Sequence, residues 1–121
     1  MRKKEYLSDC EVLHPEQVAY VKRHLPKEAV LNELSNFYKV IGEPVRAQLM
    51  MILTIREMCV CDLAVLLNRT KSAVSHQLAI LRENDFVAVD KNGKNVFYRL
   101  KDEHIAQLVS LALDHIEERK K

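Results

Sequence analysis

The strongest constraint on this chain is the run from residue 60 to residue 101, where a short apolar segment, a polar break, a segment of helical period and a hairpin pattern follow without a linker. Leu63-Ala64-Val65-Leu66-Leu67 reads as a short helix, and Asn68-Arg69-Thr70 after it as a tight turn. Thr70 has the hydroxyl that an N-cap needs, so a second helix starts there, with Val74, Leu78 and Leu81 repeating at helical spacing. Its other side and flanks carry Ser72, Ser75, His76, Ala79 and Arg82, side chains that are small or able to hydrogen-bond. Two segments of strand character, 86–89 and 96–100, enclose residues 90–95, where Asn92-Gly93 favours a hairpin turn.

The flanking segments are helical in pattern. Pro15 suits a first helical position and keeps His14 out of helical geometry, so a helix over about 15–25 is expected behind an arm, residues 1–14, that has no sustained period. Pro26 opens another segment, in which Val30, Leu34, Phe37 and Ile41 recur at helical spacing until Gly42 supplies a stop. A third helix begins at Pro44, with Val45, Leu49 and Ile52 inward and Met51, Leu53 and Ile55 widening the apolar surface towards burial on several sides. Residues 102 to about 119 read as a long helix with Ile105, Leu108, Val109, Ala112 and Ile116 on one face. The sum is a mainly α fold with a β-hairpin wing, a dimeric winged helix-turn-helix. It divides into the arm, 1–14, and one domain, 15–121, ending in a dimerisation helix, and 121 residues are enough for one core without disulfides.

The net charge of +2 says little, but its distribution says more: between Arg69 and Lys101 seven Lys and Arg stand against three Asp and Glu. Lys and Arg neutralise phosphates, while short polar side chains on an exposed helix fit a major groove and read base edges. Arg69, Lys71, Ser72, Ser75, His76, Gln77 and Arg82, with Lys91 and Lys94 on the hairpin, are therefore the candidate contacts to double-stranded DNA. The alternative is an αα-hairpin and a solvated β-hairpin with ordinary surface lysines. Charge, turn chemistry and the order of elements agree on DNA.

Three cysteines are an odd number, better suited to structural, reactive or metal-binding thiols than to a disulfide framework. On a regular helix Cys59 and Cys61 would point about 200° apart, so both face one ion only where the backbone lies at a helix edge. The break before Cys59 and the acidic Asp62 after Cys61 favour such an edge, and a helix N-terminus favours the thiolate that binds metals. Two buried cysteines acting as small hydrophobes remain the alternative on the motif alone. Cys10 and His14 would complete a soft ligand set if the arm folds back, and otherwise belong to a solvated tail. A second set lies on the last helix, Asp102, His104, His115 and Glu118. His104 and His115 share a helical face but sit about 16 Å apart along the axis, so one helix cannot bring all four to one ion. Antiparallel pairing with the same helix of a second copy would give two equivalent nitrogen and oxygen sites that zinc accepts. Exposed polar residues near helix ends are the alternative here.

From about residue 34 to residue 118 the sequence resembles the ArsR/SmtB family of metal-responsive repressors. The resemblance is carried by Glu57-Met58-Cys59-Val60-Cys61-Asp62-Leu63-Ala64, by Ser72-Ala73-Val74-Ser75-His76-Gln77-Leu78, and by Asp102-x-His104 followed by His115-x-x-Glu118. Within the family it looks most like the cadmium/lead/zinc-responsive branch typified by the CadC repressors, in which the arm of one protomer joins the Cys-x-Cys of the other. The resemblance implies Cd(II), Pb(II) or Zn(II) as regulatory ligand and release of the operator by the metal-bound form. It also implies regulated genes that serve metal efflux or sequestration. Two departures stand out: His14 occupies the place of a second arm cysteine, and Gln77 stands where a histidine is common.

Other classes are not expected. No apolar run approaches the about 20 residues of a membrane span, and the basic start MRKKEYLSDCEV has neither an apolar stretch nor a cleavage site after it, so the expected compartment is the cytoplasm. A thiol oxidoreductase would want Cys-x-x-Cys in a βαβ pattern, and two glycines leave little material for a phosphate loop, so an enzyme is not expected. The alternative function is a redox-sensing repressor of the same fold, with Cys10, Cys59 or Cys61 oxidised instead of metallated.

Overall fold

A computed structural model describes residues 8–120; residues 1–7 of the expected arm, and Lys121, lie outside the described residues. Backbone contacts divide the chain into two units, Met1–Asn32 and Glu33–Lys121. In the first, helix α1 spans Pro15–His24, with Pro15 in its first turn, and Leu25 in extended geometry ends it. Helix α2, Glu28–Ile41, starts two residues after Pro26, its first turn closed by Leu31 N–H donating to the Lys27 carbonyl at 3.0 Å. α1 buries no residue, and Val18, Tyr20, Val21 and Leu25 are exposed.

The second unit holds the rest of α2, then α3 (Pro44–Ile55), α4 (Val60–Leu67), α5 (Lys71–Glu83), strands β1 (Val87–Asn92) and β2 (Asn95–Leu100), and α6 (Glu103–Arg119). The starts of α3 and α5 have a visible local cause. The Glu43 carboxylate accepts from Arg46 N–H at 2.9 Å beside Pro44, and the Thr70 hydroxyl accepts from Ala73 N–H at 3.1 Å. Gly42 stops α2 by room rather than by dihedral angle, since a Cβ there would stand 3.0 Å from the Tyr38 carbonyl oxygen. Asn68, at φ 54, closes α4 in the left-handed region, where Asn is among the few residues tolerated. Asp85, at φ 63, makes a second such bend and leads into Phe86, which is 1% exposed in the core.

The hairpin differs from the sequence expectation. Asn92 pairs with Asn95, so residues 90–92 are strand and the loop is only Gly93-Lys94, with the positive φ of 67 at Gly93. Positive φ at the first central residue alone is the type II′ pattern, so the glycine works with the residue after it and not with Asn92. Polar side chains at the tip do not break the pairing, because this end of the ribbon is exposed.

Leu49, Leu63, Val74, Leu78 and Leu81 have no exposed surface and join Val40, Val45, Met50, Leu53, Phe86, Val87, Leu100 and Ile105 in one core. Each such large side chain contributes about 1.5–3 kcal/mol by burial. α3 is buried on several sides as its breadth implies, but through Met50 rather than Ile55, which is 73% exposed at the helix end. α6 buries only Ile105, leaving Leu111 and Ile116 exposed, and among the described residues no helix is long and apolar enough to cross a membrane.

Candidate functional site

The Cys-x-Cys pair sits at a joint. Met58 is tied to β2 by two backbone hydrogen bonds, its N–H donating to the Tyr98 carbonyl at 3.1 Å and its carbonyl accepting from Tyr98 N–H at 2.8 Å. Cys59 follows as the N-cap of α4, in extended geometry (φ −84, ψ 162), with no capping bond from its side chain. Cys61 lies in the first turn. Cys59 therefore lies at the edge of α4, outside the regular helix for which the 200° separation holds. Cys59 is half-buried and Cys61 exposed, both as free thiols, while fully buried Leu63 anchors α4 beneath them. The bridge at Met58 had no signal in the sequence, since one paired residue leaves no strand pattern.

Cys10 is an exposed free thiol in the first unit, and His14 is the N-cap residue of α1, exposed and making no capping bond. Among the described residues no group of three or more His, Cys, Asp and Glu side chains is arranged to hold a metal ion. Cys59 and Cys61 thus bring two soft sulfur donors to one end of α4, fewer than the four that a tetrahedral thiophilic ion takes.

On α6 the four residues stand as two half-sets. Asp102 is the N-cap, its Oδ1 accepting from Ile105 N–H at 3.1 Å and lying 3.8 Å from His104 Nδ1. His115 and Glu118 are exposed at the other end of the helix. Asp102 therefore has a local structural task whatever else it does.

The candidate nucleic-acid face lies on α5 and the wing. Val74, Leu78 and Leu81 turn fully inward, while Ser72, His76 and Arg82 are exposed and Ser75 is half-buried. A shallow depression between α5 and β2 is lined by Ser75, Leu78, Ala79, Arg82, Glu83 and Tyr98. Arg99 is withdrawn from the basic set by its ion pair to Asp90 at 2.7 Å and its bonds to the Leu100 and Lys101 carbonyls, and Lys101 pairs with Asp85 at 3.9 Å. Arg69, Lys71, Arg82, Lys91 and Lys94 make no ion pair among the described residues. The local positive excess therefore survives internal pairing. Gln77 stands apart from the other α5 candidates: it is half-buried, and its Oε1 accepts from Arg46 Nη1 at 2.9 Å.

Residues 43–89, from the cap of α3 into β1, match the family model described as bacterial regulatory protein, arsR family. The chain is 38% identical over 112 residues to the transcriptional repressor SmtB homolog of Synechocystis sp., covering 93% of this chain and 85% of that protein. The chain belongs to the ArsR/SmtB family. Its similarity to the cadmium branch of ArsR/SmtB proteins is carried by the cadmium resistance transcriptional regulatory protein CadC homolog of Staphylococcus aureus, at 32% identity over 109 residues, 88% of this chain and 89% of that one. The transcriptional repressor BigR from Xylella fastidiosa superposes with a TM-score of 0.66 at 33% identity, covering 78% of this chain and 93% of that one. The fold is that of the winged helix-turn-helix ArsR/SmtB regulators, and the chain is a transcriptional regulator of that family, not an enzyme.

Proposed function

We propose that this protein is a cytoplasmic repressor that binds double-stranded operator DNA as a homodimer and releases it when Cd(II), Pb(II) or Zn(II) is held by Cys59 and Cys61 with Cys10 and His14 of an arm, derepressing genes for metal efflux or sequestration. The observation that carries this reading is the position of Cys59. It follows the residue tied to the wing by the Met58–Tyr98 bonds and it caps α4, the helix that leads through Asn68 and Thr70 into α5. Two thiolates drawn to one ion there act on the joint between wing and helix-turn-helix, so a small local change alters the relative pose of two DNA-facing elements. The name and the 32% identity of the cadmium-resistance relative support the choice of a thiophilic inducer. Linkage sets the size of the effect: metal weakens DNA binding by as much as DNA weakens metal binding, typically about 1–3 kcal/mol.

The dimer rests on α6, which leaves Leu111 exposed on the helix face that also carries His104 and His115. Antiparallel pairing of two α6 helices buries that face and sets Asp102 and His104 beside the partner's His115 and the partner's Glu118, giving a second pair of zinc-type sites. Cys59 and Cys61 must lose protons to bind a soft ion, so metal affinity falls as pH is lowered and binding releases protons. A titration of the dimer on fluorescent operator DNA with cadmium or lead tests the reading. Thiolate charge-transfer absorption rising in step with DNA release is the expected result. Release by peroxide, reversed by a reductant, with no metal response, would assign sensing to thiol oxidation instead.

A further inference from the structure

Arg46 is a half-buried cation whose bonds join α2, α3 and α5. It sits in the first turn of α3, where its backbone N–H donates to the Glu43 carboxylate. Its Nε donates to the Val40 carbonyl at 2.7 Å, one of the carbonyls left without an intrahelical partner at the end of α2. Its Nη1 donates to Gln77 Oε1 at 2.9 Å, across to the flank of α5. A guanidinium has only donors, so the atom of Gln77 that faces it must be the oxygen, and the orientation of the amide follows from chemistry alone. Both hydrogen bonds involve a charged group, and their partners are out of full contact with water, Val40 buried and Gln77 half-buried, the setting in which such bonds are strong.

Gln77 also differs from its neighbours by position. It borders the buried stripe of Val74, Leu78 and Leu81, whereas Ser72 and His76 point to the opposite side of α5. The hydrophobic stripe fixes the depth of α5 and the side it turns inward, but apolar burial is non-directional and leaves the last degrees of rotation to other contacts. A directional bond at the edge of the stripe fixes them. We infer that Arg46 and Gln77 are positioning residues for sequence recognition: together they lock the rotation of α5 against α2 and α3, so that Ser72, Ser75 and His76 meet the bases, while neither touches DNA. The inference rests on the DNA-reading role proposed above and replaces Gln77 as a base contact.

The test uses the full-length protein and a duplex enriched by it from a random-sequence pool, with an unrelated duplex for comparison. Arg46→Met and Gln77→Met should each lower discrimination between the two duplexes by about tenfold, the value of a charge-assisted hydrogen bond, with the salt slope unchanged. The double variant should lose no more than the worse single one, because the two residues act as a unit. Gln77→Glu, which keeps an acceptor for the guanidinium, should retain discrimination. Loss of discrimination in Gln77→Glu would make Gln77 a direct reader through its N–H₂ and overturn the assignment, and so would a salt slope reduced in Arg46→Met. Should Arg46→Met fail to fold, Gln77→Met against Gln77→Glu decides the matter alone. A pool that yields no enriched duplex overturns the DNA-reading role itself, an outcome distinct from an enriched duplex that all variants hold equally, which overturns only the positioning role.

Discussion

Helices α5 and α6 are both amphipathic, yet they dispose of their apolar faces differently. α5 has Val74, Leu78 and Leu81 fully buried within its own chain, so its other face is free for a ligand that is polar and charged. α6 seats only Ile105 in the core, while Leu111 remains 67% and Ile116 44% exposed over its second half. The contrast teaches that one helix is complete in the monomer and the other is not. In the function proposed above, the face that the chain already satisfies is the one offered to DNA, and the exposed apolar residues of α6 are the ones a second copy would cover.

Breaking the completed face should cost most. Leu78→Ala removes a fully buried side chain from the centre of α5 and should destabilise the fold by about 2–5 kcal/mol, read as a lower urea midpoint. A loss well below that range would mean that α5 is not held by its stripe. The incomplete face predicts the opposite pattern. Leu111→Glu should leave the melting of the isolated chain within about 0.5 kcal/mol of wild type, yet produce monomers whose operator affinity falls about 100-fold, because one half-site alone is weak. A dimer that survives the change with normal affinity places the interface elsewhere.

Smaller effects sharpen the comparison on the polar side. Lys91→Ala combined with Lys94→Ala should lower the salt slope of operator binding by about two and weaken operator and unrelated DNA alike, whereas Arg99→Ala, whose guanidinium is already paired with Asp90, should leave the slope unchanged. Equal slopes for both variants would remove the wing tip from the interface. The smallest effect belongs to the start of α6. Asp102→Ala should cost about 1 kcal/mol of stability with no metal present, and Asp102→Asn, which keeps a capping oxygen, should restore most of it. An Asp102→Ala protein as stable as wild type would show that the capping bond to Ile105 does not hold the start of α6.

Much of this was legible in the sequence because the signals are local. Thr70, Pro15, Pro44 and Gly42 announce helix ends through their own chemistry, and the stripe of α5 follows from period alone. The hairpin was visible as a hairpin but not in its register, since Asn-Gly and Gly-Lys turns look alike until pairing selects Asn92 with Asn95. Ile55 and Met50 exchange places in the core because burial at a helix end depends on what lies beyond it. In the candidate site, the helix-edge position of Cys59 was inferable from the break before it and from Asp62 after Cys61. The Met58–Tyr98 bridge and the Arg46–Gln77 bond join residues 40 and 31 positions apart, and no local pattern encodes such contacts.

The central claim is that thiolates at the joint between wing and helix-turn-helix release the operator. Its most direct measurement is the affinity of Cys59→Ser and Cys61→Ser for fluorescent operator DNA, with and without saturating cadmium or lead. Serine keeps the size and the helix-edge backbone of each position but offers no thiolate. Both variants should therefore fold, dimerise and bind operator as wild type does, and remain bound when metal is added, because without the ligands the coupling of about 1–3 kcal/mol has no source. A Cys59→Ser protein released by cadmium at wild-type concentrations would contradict the account and move the sensor to Asp102, His104, His115 and Glu118.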